Sequence, residues 1–520
     1  MLKYVGLCQL VLESPKFVHI CQIFLAFSLM LTYILAPLER PTSFEFGLYL
    51  EAGHRINAGQ TIYKDWHFMY GPFVAYWASL VVKTGWSLPV LHRLFFLPDA
   101  LGTSLTLYLC QRLLRLNFVW SVVLVAGSTS LFVLGNRWCG VILALALFSY
   151  SAVHKKTVFG YLSGLMVGLQ VLYFQDIAVY TGATLCFLFI ALLLTKRFAP
   201  LELIKLGALV IAGFASIALC FVVFLVTKGA LPDYIDRAWV FTAKYYDAFD
   251  FADPPGFFSV VEAQSSEKYD KFLLPLLVRW ISGTLSFYIL PIVGSFGLLW
   301  YYFKVRGTEL ISASSVIKLA MSIVAIVLFR IVFKTGDTIK LAFNLFPAVL
   351  LSLTLLHDTI NTRLRGVAVL TVSVIVSMTF YPYARTIIKA RDGISQIENT
   401  KGLQVSSDRN NLVKYLKSHL DGENTFISLP CDTLLYIDLK EINPISFDYF
   451  DPIMSPRYDN DLSEDIADIA PKYVVWDRSA RFWTNWEMGK NFGLRSTELI
   501  QSRYKLDKEF GSYLVYERNQ

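Results

Sequence analysis

The run LGALVIAGFASIALCFVVFLVT, residues 206–227, is apolar on every face. At about 1.5 Å per residue a helix of this length crosses the roughly 30 Å hydrocarbon core of a bilayer, where only a helix or a closed barrel can satisfy its own backbone. A soluble helix of that length would show a polar stripe toward water. Comparable runs recur along the chain, so the expected fold class is an α-helical polytopic membrane protein. Composition agrees: apolar residues are 55% of 520 positions, charged residues 17%, and the mean hydropathy is +0.50. A large soluble enzyme is excluded by these runs, because its buried segments would be short or amphipathic. The stretch from Phe17 to Pro37 has no small-residue cleavage pattern after it and is expected to remain as a first spanning helix.

The seven cysteines, Cys8, Cys21, Cys110, Cys139, Cys186, Cys220 and Cys431, are scattered without close pairing and imply neither a disulfide framework nor a zinc site. The net charge of +7 carries less information than its placement. Basic residues fall in alternate polar breaks: Lys3 and Lys16, Arg112 and Arg115, His154 to Lys156, Lys196 and Arg197, Lys304 and Arg306, Arg363 and Arg365. If these face the cytoplasm, the other breaks face out, and the alternation closes only when Gly71 to Gly85 lies on the outer surface rather than crossing. About eleven transmembrane helices result, with the N-terminus inside and the C-terminus outside, in the plasma or inner membrane.

The expected organisation is a transmembrane module over 1–383 with outer loops 38–90 and 227–284, followed by an extracytoplasmic soluble α/β domain over 384–520. In the second loop YIDRAWVFTAKYYDAFDF reads as an interfacial aromatic helix. In the tail, DRNNLVKYLKSHLDG has helix start and stop signals, whereas NTFISLP, KYVVWDR and GSYLVYERN cluster β-formers between turn residues.

The first outer loop contains YLEAGHRINAGQTIYKDWHFMYGPFVAYW, from Tyr49 to Trp77, with His54, Arg55, Lys64, Asp65 and His67 among aromatics. Ionisable groups gathered beside a membrane commonly line a substrate or ion path, since burying them unpaired is costly. A short helix starting near Ser43 would set Glu45, Tyr49 and Ala52 along one face. Asp65 follows a turn-like GQTIY. In purely structural terms Glu45 is a helix N-terminal residue favoured by the dipole and Asp65 a solvated loop charge.

The order of an acidic residue, Tyr-Leu, Ala, Gly-x-x-x-Tyr-x-Asp, then Gly-Pro and an aromatic-rich helix, here EFGLYLEAGHRINAGQTIYKDWHFMYGP, resembles the first outer loop of the GT-C superfamily. These are polyprenyl-phosphate-sugar-dependent glycosyltransferases, among them the protein O-mannosyltransferases and the lipid A aminoarabinose transferases. GLQVLYFQDIAVYTGA, residues 168–183, is similar to a family segment with an Arg-Gln-Asp motif. Two positions depart from the pattern: Glu45 stands where Asp is usual, and Tyr173-Phe174 precede Gln175-Asp176 where an Arg is common.

The resemblance implies an inverting transfer of a sugar from a polyprenyl-phosphate donor to a lipid, glycan or protein acceptor at the outer face. One carboxylate deprotonates the acceptor while cations hold the leaving phosphate. Glu45 is then the first choice for base, with Asp65 second or orienting a substrate. In FRIVFKTGDTIKLAFNLFP, the cations Arg330, Lys334 and Lys340 converge near the end of a span, where they would bind the donor phosphate, with Asp337 able to neutralise one of them. Snorkelling to the interface is the competing account of the lysines. Tyr63, His67, Tyr70 and Asp176 are further substrate-binding candidates. His54 and His67 lack a metal-binding spacing, no metal or other cofactor is expected, and no nucleotide or nucleic-acid fingerprint is present. A ligase or polymerase of lipid-linked glycans would share the donor, and a transporter or flippase would instead place charges near the bilayer midplane.

Overall fold

The structure, a computed structural model, describes residues 15–35, 44–116, 121–122, 124, 137–241, 244, 286–307, 311–335, 346–359, 407–420, 425–452, 454–479 and 487–519. It is mostly helical, with a small C-terminal sheet, and the chain divides into two compact units. One comprises Met1–Ala36, Phe96–Cys220 and Asp250–Arg391; the other comprises Pro37–Phe95, Phe221–Phe249 and Asp392–Gln520.

The first unit is a helical bundle. Among the described residues three helices are long and apolar enough to cross a membrane: Arg137–His154, Gln175–Thr195 and Pro200–Thr227. Their outward side chains, such as Phe187, Ile190, Ile211 and Leu219, are exposed apolar groups, an arrangement that suits lipid rather than water. Close helix contact is made by small residues, as is usual where lipid removes the hydrophobic drive between helices. At Gly164 a Cβ would overlap the backbone of Val210 in the neighbouring helix.

The bundle has two distinguishable ends. At one, Lys155 Nζ reaches Glu202 Oε1 at 2.8 Å, and the Tyr302 hydroxyl donates to Leu194 O at 3.3 Å. These contacts bring the breaks carrying Lys155, Lys196, Lys304 and Arg306 together. At the other, Arg137 Nη1 lies 4.0 Å from Asp176 Oδ2, and the Trp138 ring meets the Phe346 ring at 5.4 Å. The helix Ala313–Thr335 ends toward this side, because it starts just after the Lys304–Arg306 break.

The second unit joins two loops to the tail. The helix Phe44–Asn57 begins one residue after Ser43 and packs on Pro72–Lys83. Gly53 permits the contact: a Cβ there would sit 2.5 Å from the Ala78 carbonyl carbon. Asn57 and Ser79 fasten the same pair, with Ser79 Oγ donating to Asn57 Oδ1 at 2.6 Å. The helix Pro72–Lys83 has 12 residues, too few for a roughly 30 Å core. In the second loop, Leu231–Tyr234 is α-helical and Ile235–Val240 is π-helical. Most of the aromatic stretch after Phe241 lies outside the described residues.

In the tail the helix Ser407–His419 precedes a four-stranded sheet of β1 (Phe426–Leu429), β2 (Tyr473–Asp477), β3 (Tyr504–Phe510) and β4 (Tyr513–Arg518), in the order β1-β2-β4-β3. β1 and β2 are parallel and connected through Leu434–Leu439 and Ser455–Ile469; β3 and β4 form a hairpin. β1, β2 and β4 coincide with the expected β-former clusters. β3 was not anticipated, since YKLDKEF is a charged edge strand with five of its residues exposed in a row. The helix Ser455–Ile469 also went unread, although Tyr458, Leu462 and Ile466 mark its buried face at a spacing of four.

Candidate functional site

The first-loop residues sort into groups that face water and groups sealed inside the second unit. Glu45 lies in the first turn of Phe44–Asn57, and its side chain is outside the described residues. Asp65 is exposed and closes a tight loop: its carboxylate accepts from Thr61 N–H at 2.5 Å, and its own N–H donates to Thr61 O at 3.0 Å. Tyr63 is buried in that loop with φ of 68°, and its hydroxyl donates to Tyr70 O at 2.7 Å. Burial, followed by the neighbouring Tyr234 and Tyr76, holds the Tyr63 phenol well above its usual range, so it stays protonated. Tyr70 is half-buried, its ring 5.3 Å from that of Tyr49.

His67 is enclosed by the rings of Phe241, Phe447 and Tyr458 at 5.4, 6.1 and 5.0 Å. Burial, with a smaller contribution from Arg237, lowers its pKa to about 3, so the imidazole is neutral. Its backbone N–H donates to Ser446 O at 2.7 Å, tying the loop to the tail.

A cluster that the sequence did not bring together joins the helix Phe44–Asn57 to the tail. Glu51, Arg55 and Asp448 are 0%, 1% and 1% exposed. Arg55 Nε donates to Asp448 Oδ1 at 2.6 Å and stands 3.7 Å from Glu51 Oε1. Arg55 Nη2 donates to Ile445 O at 2.7 Å and Nη1 to Gln60 Oε1 at 3.1 Å, while Asn443 N–H donates to Glu51 Oε1 at 3.1 Å. The Trp66 ring covers the guanidinium at 5.6 Å. Two buried carboxylates thus share one guanidinium, and neutrality requires one more proton. His54 Nδ1 lies 3.6 Å from Glu51 Oε2 and balances the cluster only when protonated. Burial raises the Asp448 pKa to about 7, opposed by Arg55 and reinforced by Glu51. The one signal in the sequence was the i,i+4 spacing of Glu51 and Arg55 within the helix Phe44–Asn57.

The remaining candidates belong to the first unit. Asp176 is half-exposed beside Arg137, whose guanidinium also lies over the Phe174 ring at 3.9 Å. Asp176 therefore has a cation beside it in space, Arg137 at the start of the helix Arg137–His154. Arg330 and Lys334 lie in the last turns of Ala313–Thr335 with side chains outside the described residues. Asp337 and Lys340 fall outside the described residues altogether. Among the described residues no group of His, Cys, Asp and Glu is arranged to hold a metal ion. Compared with known proteins, the chain matches no family model and no curated protein.

Proposed function

We propose that the protein is a membrane-embedded inverting glycosyltransferase with about eleven spans, taking a sugar from a polyprenyl-phosphate donor at the outer face. The observation that carries this reading is the composition of the second unit. Pro37–Phe95, Phe221–Phe249 and Asp392–Gln520 are far apart in the chain, yet form one body, and they include the first loop, the opening part of the second and most of the tail expected on one side of the membrane. The helix Phe44–Asn57, with Glu45 in its first turn, belongs to that body. Support also comes from the bundle, where breaks carrying Lys155, Lys196, Lys304 and Arg306 share one end and Arg137 and Asp176 the other.

In the proposed mechanism Glu45 removes the acceptor proton as the acceptor oxygen attacks the sugar carbon, inverting it, and the phosphate leaves toward Arg330, Lys334 and Lys340. Asp65 orients a substrate through an exposed carboxylate fixed by the Thr61 amide. Tyr63 and His67 are sealed and neutral, so they shape the loop under this scheme rather than exchange protons. The test is transfer from a polyprenyl-phosphate sugar by full-length protein in vesicles. Glu45→Gln keeps the side-chain shape and should lower turnover by roughly two to four orders of magnitude at unchanged expression. Full activity of that variant would remove Glu45 as the base, and a dead Asp65→Asn beside it would move the role to Asp65. Mass spectrometry of envelope glycans with and without the gene would identify the sugar and acceptor.

A further inference from the structure

The tail segment 443–449 has neither helix nor strand, yet it is tied to the first loop along its length. Asn443 N–H donates to Glu51 Oε1 at 3.1 Å, the Ile445 and Ser446 carbonyls accept from Arg55 Nη2 and His67 N–H, each at 2.7 Å, and Asp448 Oδ1 accepts from Arg55 Nε at 2.6 Å. The Tyr449 hydroxyl reaches Met69 Sδ at 3.3 Å. Most of this strap therefore hangs on two ionisable side chains of the helix Phe44–Asn57.

Their charges do not cancel. With both acids ionised, Glu51 and Asp448 leave one excess negative charge beside Arg55, where water does not reach. Glu51 Oε2 and Asp448 Oδ2 are buried, and among the described residues neither accepts a hydrogen bond. A proton on the pair removes the excess charge. The other groups around the cluster supply no fixed cation. Gln60, Trp66 and Asn443 are neutral, and Tyr436, from the helix Leu434–Leu439, is held protonated by burial while its oxygen accepts from Ser428 N–H at 2.8 Å. Asp465, from the helix Ser455–Ile469, is engaged by the Ser446 N–H at 2.8 Å. His54 is 21% exposed, so a charge on it is partly screened by water before it reaches Glu51 at 3.6 Å.

We propose that the strap 443–449 is a proton-controlled latch: a proton on the Glu51–Asp448 pair holds the tail to the helix Phe44–Asn57, and its loss releases the strap locally while the sheet stays folded. The closed strap keeps the proton to about 7, because burial, opposed by Arg55 and reinforced by Glu51, raises the Asp448 carboxyl. In the open strap an aspartate in water releases it near roughly 3.9. Closure is thus favoured most below the lower value, opening grows about tenfold per pH unit between the two, and it levels off above the higher. The latch rests on this cluster alone; under the proposed transfer reaction it would also govern the helix that has Glu45 in its first turn.

The experiment follows hydrogen–deuterium exchange of the full-length protein in nanodiscs by mass spectrometry, with each rate divided by its intrinsic value at that pH. Peptides containing Asn443 or His67, whose N–H groups cross the join, should lose protection about tenfold per pH unit from pH 5 to 7 and hold level from pH 7.5 to 8.5. Peptides from β2 should keep theirs throughout. Asp448→Asn and Glu51→Gln each keep an oxygen for the strap's hydrogen bonds and remove the excess charge, so each should flatten the profile at the protected level; where one variant fails to express, the other carries the test. His54→Gln should leave the slope in place. A flat profile in the wild type overturns the proposal, as does a slope that survives in either carboxamide variant, equal loss of protection in β2, or a profile flattened by His54→Gln. None of these readings depends on sugar transfer, so failure of the reaction and failure of the latch are seen separately.

Discussion

The Glu51–Arg55–Asp448 cluster and the Arg137–Asp176 pair both join an arginine to acid, but in opposite surroundings. In the second unit the charges are sealed, and Arg55 spends its donors on Asp448, Ile445 and Gln60. In the first unit the side chains of Arg137 and Asp176 are 34% and 49% exposed and meet at 4.0 Å. Water screens the second pair and cannot reach the first. The sealed cluster is therefore a structural tie whose loss is costly, whereas the solvent-screened pair contributes little to the fold.

Removing the cation from each site gives the largest contrast. Arg55→Met leaves two carboxylates buried without their guanidinium and should destabilise the second unit by about 3–5 kcal/mol, read as a lowered thermal midpoint or lost expression. Arg137→Met should cost about 0–1 kcal/mol in the same measurement. Equal effects would dissolve the distinction.

Packing offers the next contrast. Gly53→Ala pushes a methyl into the Ala78 and Ser79 backbone, which cannot swing aside as a side chain can, and should cost about 1–3 kcal/mol. A melting temperature equal to wild type would mean that the helix pair slides apart without penalty.

Proton dependence sharpens the buried half of the comparison. Asp448 holds its proton to about 7 in the folded protein, whereas an unfolded aspartate releases it near roughly 3.9. The folded state thus binds the extra proton between these values, so the stabilisation from this group is full below the lower one and is lost as pH rises through the higher. Asp448→Asn keeps an oxygen for Arg55 and abolishes the titration. Thermal midpoints from pH 5 to 8 should fall in the wild type relative to this variant, and parallel curves would place the proton elsewhere. The smallest effect belongs to the open site: Asp176→Asn should change stability by no more than about 0.5 kcal/mol.

Local structure was legible where one element decides it. The helix after Ser43, the short helix after Gly71 and the strands in FISL, YVVWD and YLVYER follow from turn residues and apolar spacing within a few positions. Tertiary partnership was not. Asp448 sits in a stretch without helix or strand, and nothing near it in sequence announces that Arg55 is its partner. The relation of Arg137 to Phe174 was not legible either, because it depends on how two helices stack. Conversely His67 drew attention as an ionisable group, and its aromatic surroundings keep it neutral.

The 393 positions between Arg55 and Asp448 also set a timetable. At about 5–20 residues per second, Arg55 is made roughly 20–80 s before the aspartate that completes its bonds. Through that interval the first loop has Glu51 but neither Asp448 nor the Ile445 carbonyl, so its helix cannot make its final bonds until the tail is made. A chain that stops before Asp448 leaves this early segment unfinished, which makes completion of the first loop a report that synthesis has reached the far end.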